Sequence, residues 1–345
     1  MAGVALTVGG GERDPTEPFY GAHQSGVGTP PQAHATFIAL DLNRGRTDPK
    51  TLAAVMKLWT EDASRLTQGQ PALADTEPEL AAEPSRLTVT VGWGPELFDA
   101  IGLTRPPSVK PLPPFSIDRL QSRWCGGHLL LQVCADSLLT VSHACRVLTK
   151  NVKSMTTVRW IQRGYRHRRN LMGQVDGTVN LDDAGALDRY VWDSAGGTTI
   201  VLRRIRAEMD AWDKVDRQTK ELVVGRTLDT GAPLTGHHES DAPDFAAQVN
   251  GIRVIPENAH IALAHHRADG EQFLRRPYNY DDTECGLIFA SYQRDPATQF
   301  VPVQRRLADA DALNPWITPI GSAVFWVLPG VVPAQYLGQA LLGAP

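Results

Sequence analysis

The chain has 345 residues, of which 42% are hydrophobic and 21% charged, with a formal net charge of −4. That size and composition suit one large or two medium globular domains with real cores. The mild acidity excludes a basic field for nucleic acid. Cys125, Cys134, Cys145 and Cys285 form no C-x-x-C pair. Neither a structural zinc site nor a disulfide scaffold is expected, and buried free thiols are the default. No apolar run is long enough to cross a bilayer. The start, Met1 to Ala5, lacks the basic and long apolar regions of a signal peptide.

Gly9, Gly10 and Gly11, followed by Glu12, Arg13 and Asp14, read as a flexible tail, and residues 1–34 as a flexible N-terminal arm. Residues 35–42 form the first strand by their β-formers. A helix follows from about Asp48, with Leu52, Val55, Met56, Leu58 and Trp59 at helical spacing. After a polar, Pro-bearing loop, residues 86–93 alternate like a strand, and 95–101 form a short helix opened by Pro95. Prolines 106, 107, 111, 113 and 114 force an extended segment. A strand over 129–135, a helix over 138–152 and a strand over 156–162 complete an antiparallel sheet covered by helices on one face. This is the ferredoxin-like pattern.

The second half repeats the pattern. A strand over 198–204 leads to a helix over 207–224, with Met209, Trp212, Val215, Leu222 and Val223 as its apolar positions. A short apolar segment spans 260–264. A strand follows over 286–293, then a helix from 302 and a final strand over 323–328. The fold class is therefore α+β with two ferredoxin-like halves. Residues 35–180 make the N-terminal half and 181–345 the C-terminal half. Residues 225–256 form a long connection, and loops of that length in compact domains are usually functional.

Candidate chemistry concentrates in a few stretches. Residues 170–180 set Asp176 between Gly173 and Gly177 with no periodic apolar pattern. Glycine lets backbone turn or approach a bulky group closely, and such loops often present catalytic carboxylates. Arg163, Arg166, Arg168, Arg169 and His167 precede this loop, either as a solvated strand end or as a collar for acidic groups. His260, taken alone, reads as a satisfied histidine at an element end, although imidazole is also a common haem ligand. His265 and His266, if on a strand, would face opposite ways and not ligate jointly. Arg275 and Arg276 read as surface arginines before a turn, or as one guanidinium aimed into a cavity. The strand after them could wall an apolar pocket. The acidic pairs Asp282 with Glu284 and Asp182 with Asp183 read as solvated. No P-loop, Rossmann fingerprint, G-x-S-x-G or H-E-x-x-H is present.

In order along the chain, these stretches resemble the dye-decolourising peroxidases. Asn170-Leu171-Met172-Gly173 with Asp176-Gly177-Thr178 resembles the family's signature loop. Ala259-His260-Ile261, Leu274-Arg275-Arg276, Tyr278-Asn279-Tyr280 and Gly286-Leu287-Ile288-Phe289 are similar to its second block. Tyr292-Gln293-Arg294-Asp295, Phe300-Val301-Pro302-Val303-Gln304 and Pro319-Ile320-Gly321 continue it. Glu17-Pro18-Phe19-Tyr20-Gly21-Ala22-His23-Gln24 resembles the mature start of the Tat-exported, A-type branch.

The resemblance implies a dimeric α+β barrel-like fold holding one haem b per chain in the second half. It implies a peroxidase that reduces hydrogen peroxide and oxidises dyes, phenols or a protein donor. His260 would be the axial iron ligand, Asp176 the distal acid–base and Arg275 the distal cation. Gly177, Thr178 and Val179, the segment His265, His266 and Arg267, and the pocket residues Leu287 and Phe289 would contact haem. Self-association and a secreted or extracytoplasmic location are also implied. The chain departs from the pattern at Ala262, where an arginine is usual, at His266, where a proline is common, and at Pro277, where a glycine is usual. Arg267 or Arg226 could substitute for the missing arginine, and Asn314 or Asp311 could orient the axial imidazole. Two other readings are a deferrochelatase-like release of haem iron and a haem-binding protein with little turnover.

Overall fold

A computed structural model describes residues 15–343. The expected glycine-rich tail over 9–14 lies outside the described residues.

Helix α1 (Pro49–Leu66) follows strand β1 (His34–Leu42). Asp48 caps it, accepting from the Thr51 amide at 2.9 Å, and Pro49 sits in its first turn, where a missing N–H costs nothing. Strand β2 (Thr88–Trp93), helix α2 (Pro95–Ile101), strand β3 (Leu129–Ala135), helix α3 (Leu138–Val152) and strand β4 (Thr156–Tyr165) complete the first half. Their pairing order is β2-β3-β1-β4, all antiparallel. Helix α4 (Ala184–Tyr190) bridges to strand β5 (Thr198–Ala207).

The expected helix over 207–224 is two helices, α5 (Met209–Trp212) and α6 (Arg217–Val224). The break has a physical cause. Asp216 caps a new helix, accepting from the Thr219 amide at 3.0 Å and its hydroxyl at 2.7 Å. A small hairpin, β6 (Gln248–Val249) and β7 (Ile252–Arg253), lies in the long connection. Helix α7 (His260–Ala264) and strands β8 (Leu274–Arg275), β9 (Tyr278–Asp281) and β10 (Cys285–Gln293) follow. Helix α8 (Phe300–Ala310), strand β11 (Ile317–Val327) and helix α9 (Gln339–Leu342) close the chain. β11 begins six residues before the expected strand. A bulge between Pro319 and Gly321 hides its alternation.

The second half pairs in the order β11-β5-β10-β9, which repeats the first. The halves join edge to edge through two narrow seams. Trp326 and Val327 of β11 pair with Trp93 and Gly92 of β2. Tyr165 of β4 pairs with Asn279 of β9. Because β5 pairs with both β11 and β10, the sheet closes into a barrel, as the family resemblance implied. Phe37, Ala39, Leu202, Ile288, Ala290 and Tyr292 fill its interior. The alternate residues Ile38, Leu40, Val89 and Leu131 pack outward under α1 and α3. β1 and β3 are therefore apolar on both faces.

Residues 15–33 are not a free arm. Val27 and Gln32 are buried. Gln24 donates to the Val91 and Leu328 carbonyls at 2.9 and 2.8 Å, and Gln32 to Arg86 O at 2.8 Å. The segment stoppers one end of the barrel by satisfying backbone groups there. All four cysteines are free, but only Cys134 is fully buried.

Candidate active site

The loop over 168–180 is shaped by short-range hydrogen bonds. Gln174 N donates to Asn170 Oδ1 at 3.0 Å, and Asn170 N to Gln174 O at 2.9 Å. Asp176 N donates to Arg168 O at 3.0 Å. Gly173 and Gly177 both have positive φ, at 88° and 89°. The positive φ favours glycine at 177, and a Cβ there would come within 2.8 Å of an Arg166 nitrogen and displace that side chain.

Part of the basic cluster is a solvated strand end, with Arg163, His167 and Arg168 exposed, and part braces the loop. Arg169 donates to the Gly173, Leu228 and Asp229 carbonyls and ties the loop to the long connection. Arg166 donates to Pro277 O at 3.0 Å. Arg168 and Thr178 share Glu239, at 2.7 and 3.2 Å. Asn279 takes up loop backbone at Arg169 O and Leu171 N. These side chains brace the loop that carries Asp176.

Arg275 is fixed to the same loop from the strand side. Asn180 bonds to both its backbone groups, accepting from the N–H at 2.8 Å and donating to the C=O at 2.7 Å. The Arg275 guanidinium donates to Val179 O. Its pKa is lowered, first by burial, with Asp176 opposing and Arg166 adding to the shift. It remains a cation nonetheless. An open cleft of about 460 Å³ reaches Asp176, lined by Gln32, Asp136, Arg166 and Arg168 among others.

His260 begins α7. Its Nδ1–H donates to Asp311 Oδ2 at 2.6 Å, with the tautomer inferred from the carboxylate partner. Asp311 is the first residue after α8 and its side chain is 1% exposed, whereas that of His260 is 35% exposed. One ring nitrogen is thus anchored and Nε2 is left with its lone pair. Burial pulls the His260 pKa down, but Asp311 outweighs it and the net shift is upward. Arg275 lowers it and Asp176 raises it in smaller measure. The three predicted residues therefore lie within electrostatic reach of one another, although 84 to 99 positions separate His260 and Arg275 from Asp176.

Arg306 binds α7 to α8, donating to the Leu263 and His265 carbonyls at 3.2 Å and to both Glu271 oxygens at 3.0 and 2.8 Å. Asn314 turns away, donating to the Leu307 and Ala308 carbonyls. Of the two residues considered for orienting the imidazole, Asp311 is the one in contact. At the α6 end, Gly225 packs against Ile261 and leads into Arg226, which is buried. Arg226 donates to Gly231 O at 2.6 Å and Glu239 O at 3.0 Å, and its pKa is lowered by burial.

The other predicted contacts are more scattered. Leu287 and Phe289 are half-buried on the outer face of β10, with Phe289 packed near Phe273 and Phe300. Val179 is 67% exposed. His265, His266 and Arg267 are exposed. His265 and His266 do not diverge as strand neighbours would. They follow α7 in a turn and their rings stack at 4.7 Å. Inside the barrel, a cavity of about 20 Å³ beside Trp124, Trp160 and Arg204 has room for about one water.

Sequence reasoning missed Asn180 as a brace, Glu239, and the stapling role of Arg169. Asn180 stood within the singled-out loop, but its partner lies 95 residues away.

Comparison with known proteins finds relatives over nearly the whole chain. The family model for the N-terminal part of Dyp-type peroxidases matches residues 24–166, and that for the C-terminal part matches 167–332. A dye-decolorizing peroxidase of Thermobifida fusca is 40% identical, covering 93% of this chain and 84% of its own. A deferrochelatase of Yersinia pestis is 36% identical, covering 96% and 86%. The crystal structure of a DyP-type peroxidase from Cellulomonas bogoriensis is 46% identical, with a TM-score of 0.93 over 96% of this chain and 99% of that one.

Proposed function

Because this chain belongs to the Dyp-type peroxidase family and is a haem peroxidase, we propose that it reduces hydrogen peroxide and oxidises dyes, phenols or similar donors with one haem b per chain. The carrying observation is His260, whose Nδ1 is held by a buried carboxylate while Nε2 is free, within reach of Asp176 and Arg275. A carboxylate on the far nitrogen fixes the ring and makes the near one a stronger donor to iron. His260 is thus suited to hold the haem. Arg226, a buried cation whose hydrogen bonds go to carbonyls and which has Glu239 as a nearby carboxylate, is suited to a propionate. It fills the part that Ala262 cannot.

Haem, when bound, supplies the iron at which peroxide is reduced. Asp176 accepts the proton from the attacking peroxide oxygen and returns it to the departing oxygen, which leaves as water. Arg275 stabilises the negative charge that grows on the departing oxygen. The open cleft beside Asp176 admits a molecule as small as peroxide. Gly177, Thr178 and Val179, with Leu287 and Phe289, would border the haem. The exposed His265, His266 and Arg267 would touch only its edge. By kinship with exported family members, we place the enzyme outside the cytoplasm. No helix among the described residues is long and apolar enough to cross a membrane.

The test is an absorption spectrum of haem-loaded protein mixed with peroxide. A rapid change, followed by dye bleaching, is expected. Asp176→Ala and Arg275→Ala should slow the first step by on the order of 10²-fold or more, with haem retained. A peroxide step as fast in both variants as in the unsubstituted protein would refute the assignment. The deferrochelatase relative motivates a second reading. Protoporphyrin released without peroxide would select it.

A further inference from the structure

A polar atom sealed inside a barrel costs stability unless something bonds to it. Three such atoms belong to side chains around one small cavity inside this barrel. Trp124 Nε1, Arg204 Nε and Gln162 Oε1 are each buried and have no hydrogen-bond partner among the described residues. All three side chains line the cavity of about 20 Å³. Phe37, Leu202, Ile288 and Ala323 make the apolar part of its wall. Trp160, also in the wall, already donates its indole N–H to Gly126 O at 2.9 Å.

The other atoms of the three side chains are taken. Gln162 uses its amide nitrogen on Arg163 O and Asp282 Oδ2, at 2.8 and 3.2 Å. Those two acceptors assign the nitrogen and leave the oxygen as the free end. Arg204 uses its terminal nitrogens on Asp282 and Glu284, at 3.2 to 3.4 Å, and keeps only Nε–H. The Trp124 ring stacks 4.0 Å from that guanidinium, which holds the indole in place. Two donors and one acceptor therefore remain. Tyr280 also lies 4.0 Å from the guanidinium and has an unpartnered hydroxyl, but it does not line the cavity.

That set selects its occupant. An anion would meet the Gln162 oxygen, and the charge of Arg204 is already balanced by Asp282 and Glu284. A metal ion would meet two N–H donors. A molecule of several heavy atoms exceeds about 20 Å³. Water is neutral, fits that volume, and both accepts and donates.

We propose that one ordered water occupies this cavity, accepting from Trp124 Nε1–H and Arg204 Nε–H and donating to Gln162 Oε1. Three bonds are the usual number for a buried water. Its partners come from both halves, Trp124 from the turn before β3, Gln162 from β4 and Arg204 from β5. On this side the backbones of the halves meet only through the Tyr165–Asn279 pair of β4 and β9. The water joins β4 to β5 over the intervening β9 and β10, beside that narrow seam.

Crystals of the haem-loaded protein, grown with and without sodium bromide and measured at high resolution and at the bromine absorption edge, test this. The cavity should show one peak about 2.7–3.2 Å from Trp124 Nε1, Arg204 Nε and Gln162 Oε1, with no anomalous signal. A cavity without density would overturn the proposal. So would a bromine signal, which would mark an anion site. Gln162→Leu removes the acceptor and should lose the peak, and a peak retained there would overturn the assignment of Gln162 as partner. In solution, nuclear magnetic resonance of the unsubstituted protein reads the same site without a variant. The Trp124 indole proton should show an Overhauser contact with a long-lived water. An indole proton without that contact would overturn the proposal.

Discussion

The two halves of the barrel share one strand order and differ in what covers it. Over the first half, α1 and α3 run unbroken, and Leu52, Val55, Met56 and Trp59 meet Val141, Ala144, Val147 and Leu148 in an apolar layer. Over the second half the equivalent helix is broken at Asp213–Asp216, and α7 has five residues. Its cover includes the buried Arg203–Asp118 pair, Arg226 and the His260–Asp311 pair. Two small apolar clusters, around Phe115, Phe289 and Phe300 and around Trp212, Val223 and Val224, lie alongside them. One fold unit is used for a core and its copy for a site. Short helix ends and polar pairs in the copy leave side chains partly open and unneutralised, and that is what chemistry needs.

The largest effects should separate the halves cleanly. His260→Ala removes the side chain proposed for axial ligation and should abolish the haem absorption band, while far-ultraviolet circular dichroism and the melting of haem-free protein hardly change. Trp59→Ala should do the reverse. Trp59 is fully buried and donates to Leu148 O at 3.0 Å. Its truncation should cost about 3–5 kcal/mol by chemical denaturation, with the spectrum of the bound haem unaltered below the transition. If the first variant melted as badly as the second, the division between core half and site half would fail.

A sharper test sits where the halves' connecting loop meets β8. Asn180→Ala strips partners from both backbone groups of Arg275. Leaving buried polar groups unpaired costs about 1–3 kcal/mol. The peroxide step should slow because the Arg275 guanidinium loses its fixed position, while haem affinity stays. Equal slowing of the peroxide step and loss of haem would mean that Asn180 supports the whole pocket and not Arg275 in particular.

Much of this division was legible in the residues. The alternation over 35–42 and 129–135, and the helical spacing after Asp48, are carried by local sequence and survive as β1, β3 and α1. Asp176, His260 and Arg275 stood out because glycines, a family motif and a paired arginine mark them. Barrel closure was not derivable from periodicity. It rests on a few residue pairs, Trp93 with Trp326 and Tyr165 with Asn279, far apart in sequence. The choice of Asp311 over Asn314 was equally closed to sequence. It depends on where α8 stops and which way the chain then turns. The break before α6 was readable in principle, since Asp216 followed three residues later by Thr219 is a capping signal that apolar spacing overrode.

The smallest predicted effect probes a buried carboxyl in the core half, which also holds the buried His143–Asp75 pair at 2.8 Å. Asp62 on α1 is buried and accepts from Asn151 Nδ2 at 2.8 Å. Burial raises its pKa most, Glu61 and Asp75 push the same way, and Asn151 and Arg65 oppose. In the unfolded chain the carboxyl titrates at its ordinary, lower value. Between those two values the folded state holds more protons than the unfolded state, so stability falls as pH rises through that window. Above it the full penalty of a buried carboxylate remains. Asp62→Asn keeps the size and an oxygen for Asn151, and removes the charge. It should raise the melting temperature near neutral pH slightly and flatten this part of the pH dependence, read from melts of haem-free protein between about pH 4 and 7. A variant less stable at neutral pH would show that the Asp62 charge is compensated in place, and that the two halves differ less in their use of buried charge than their helices suggest.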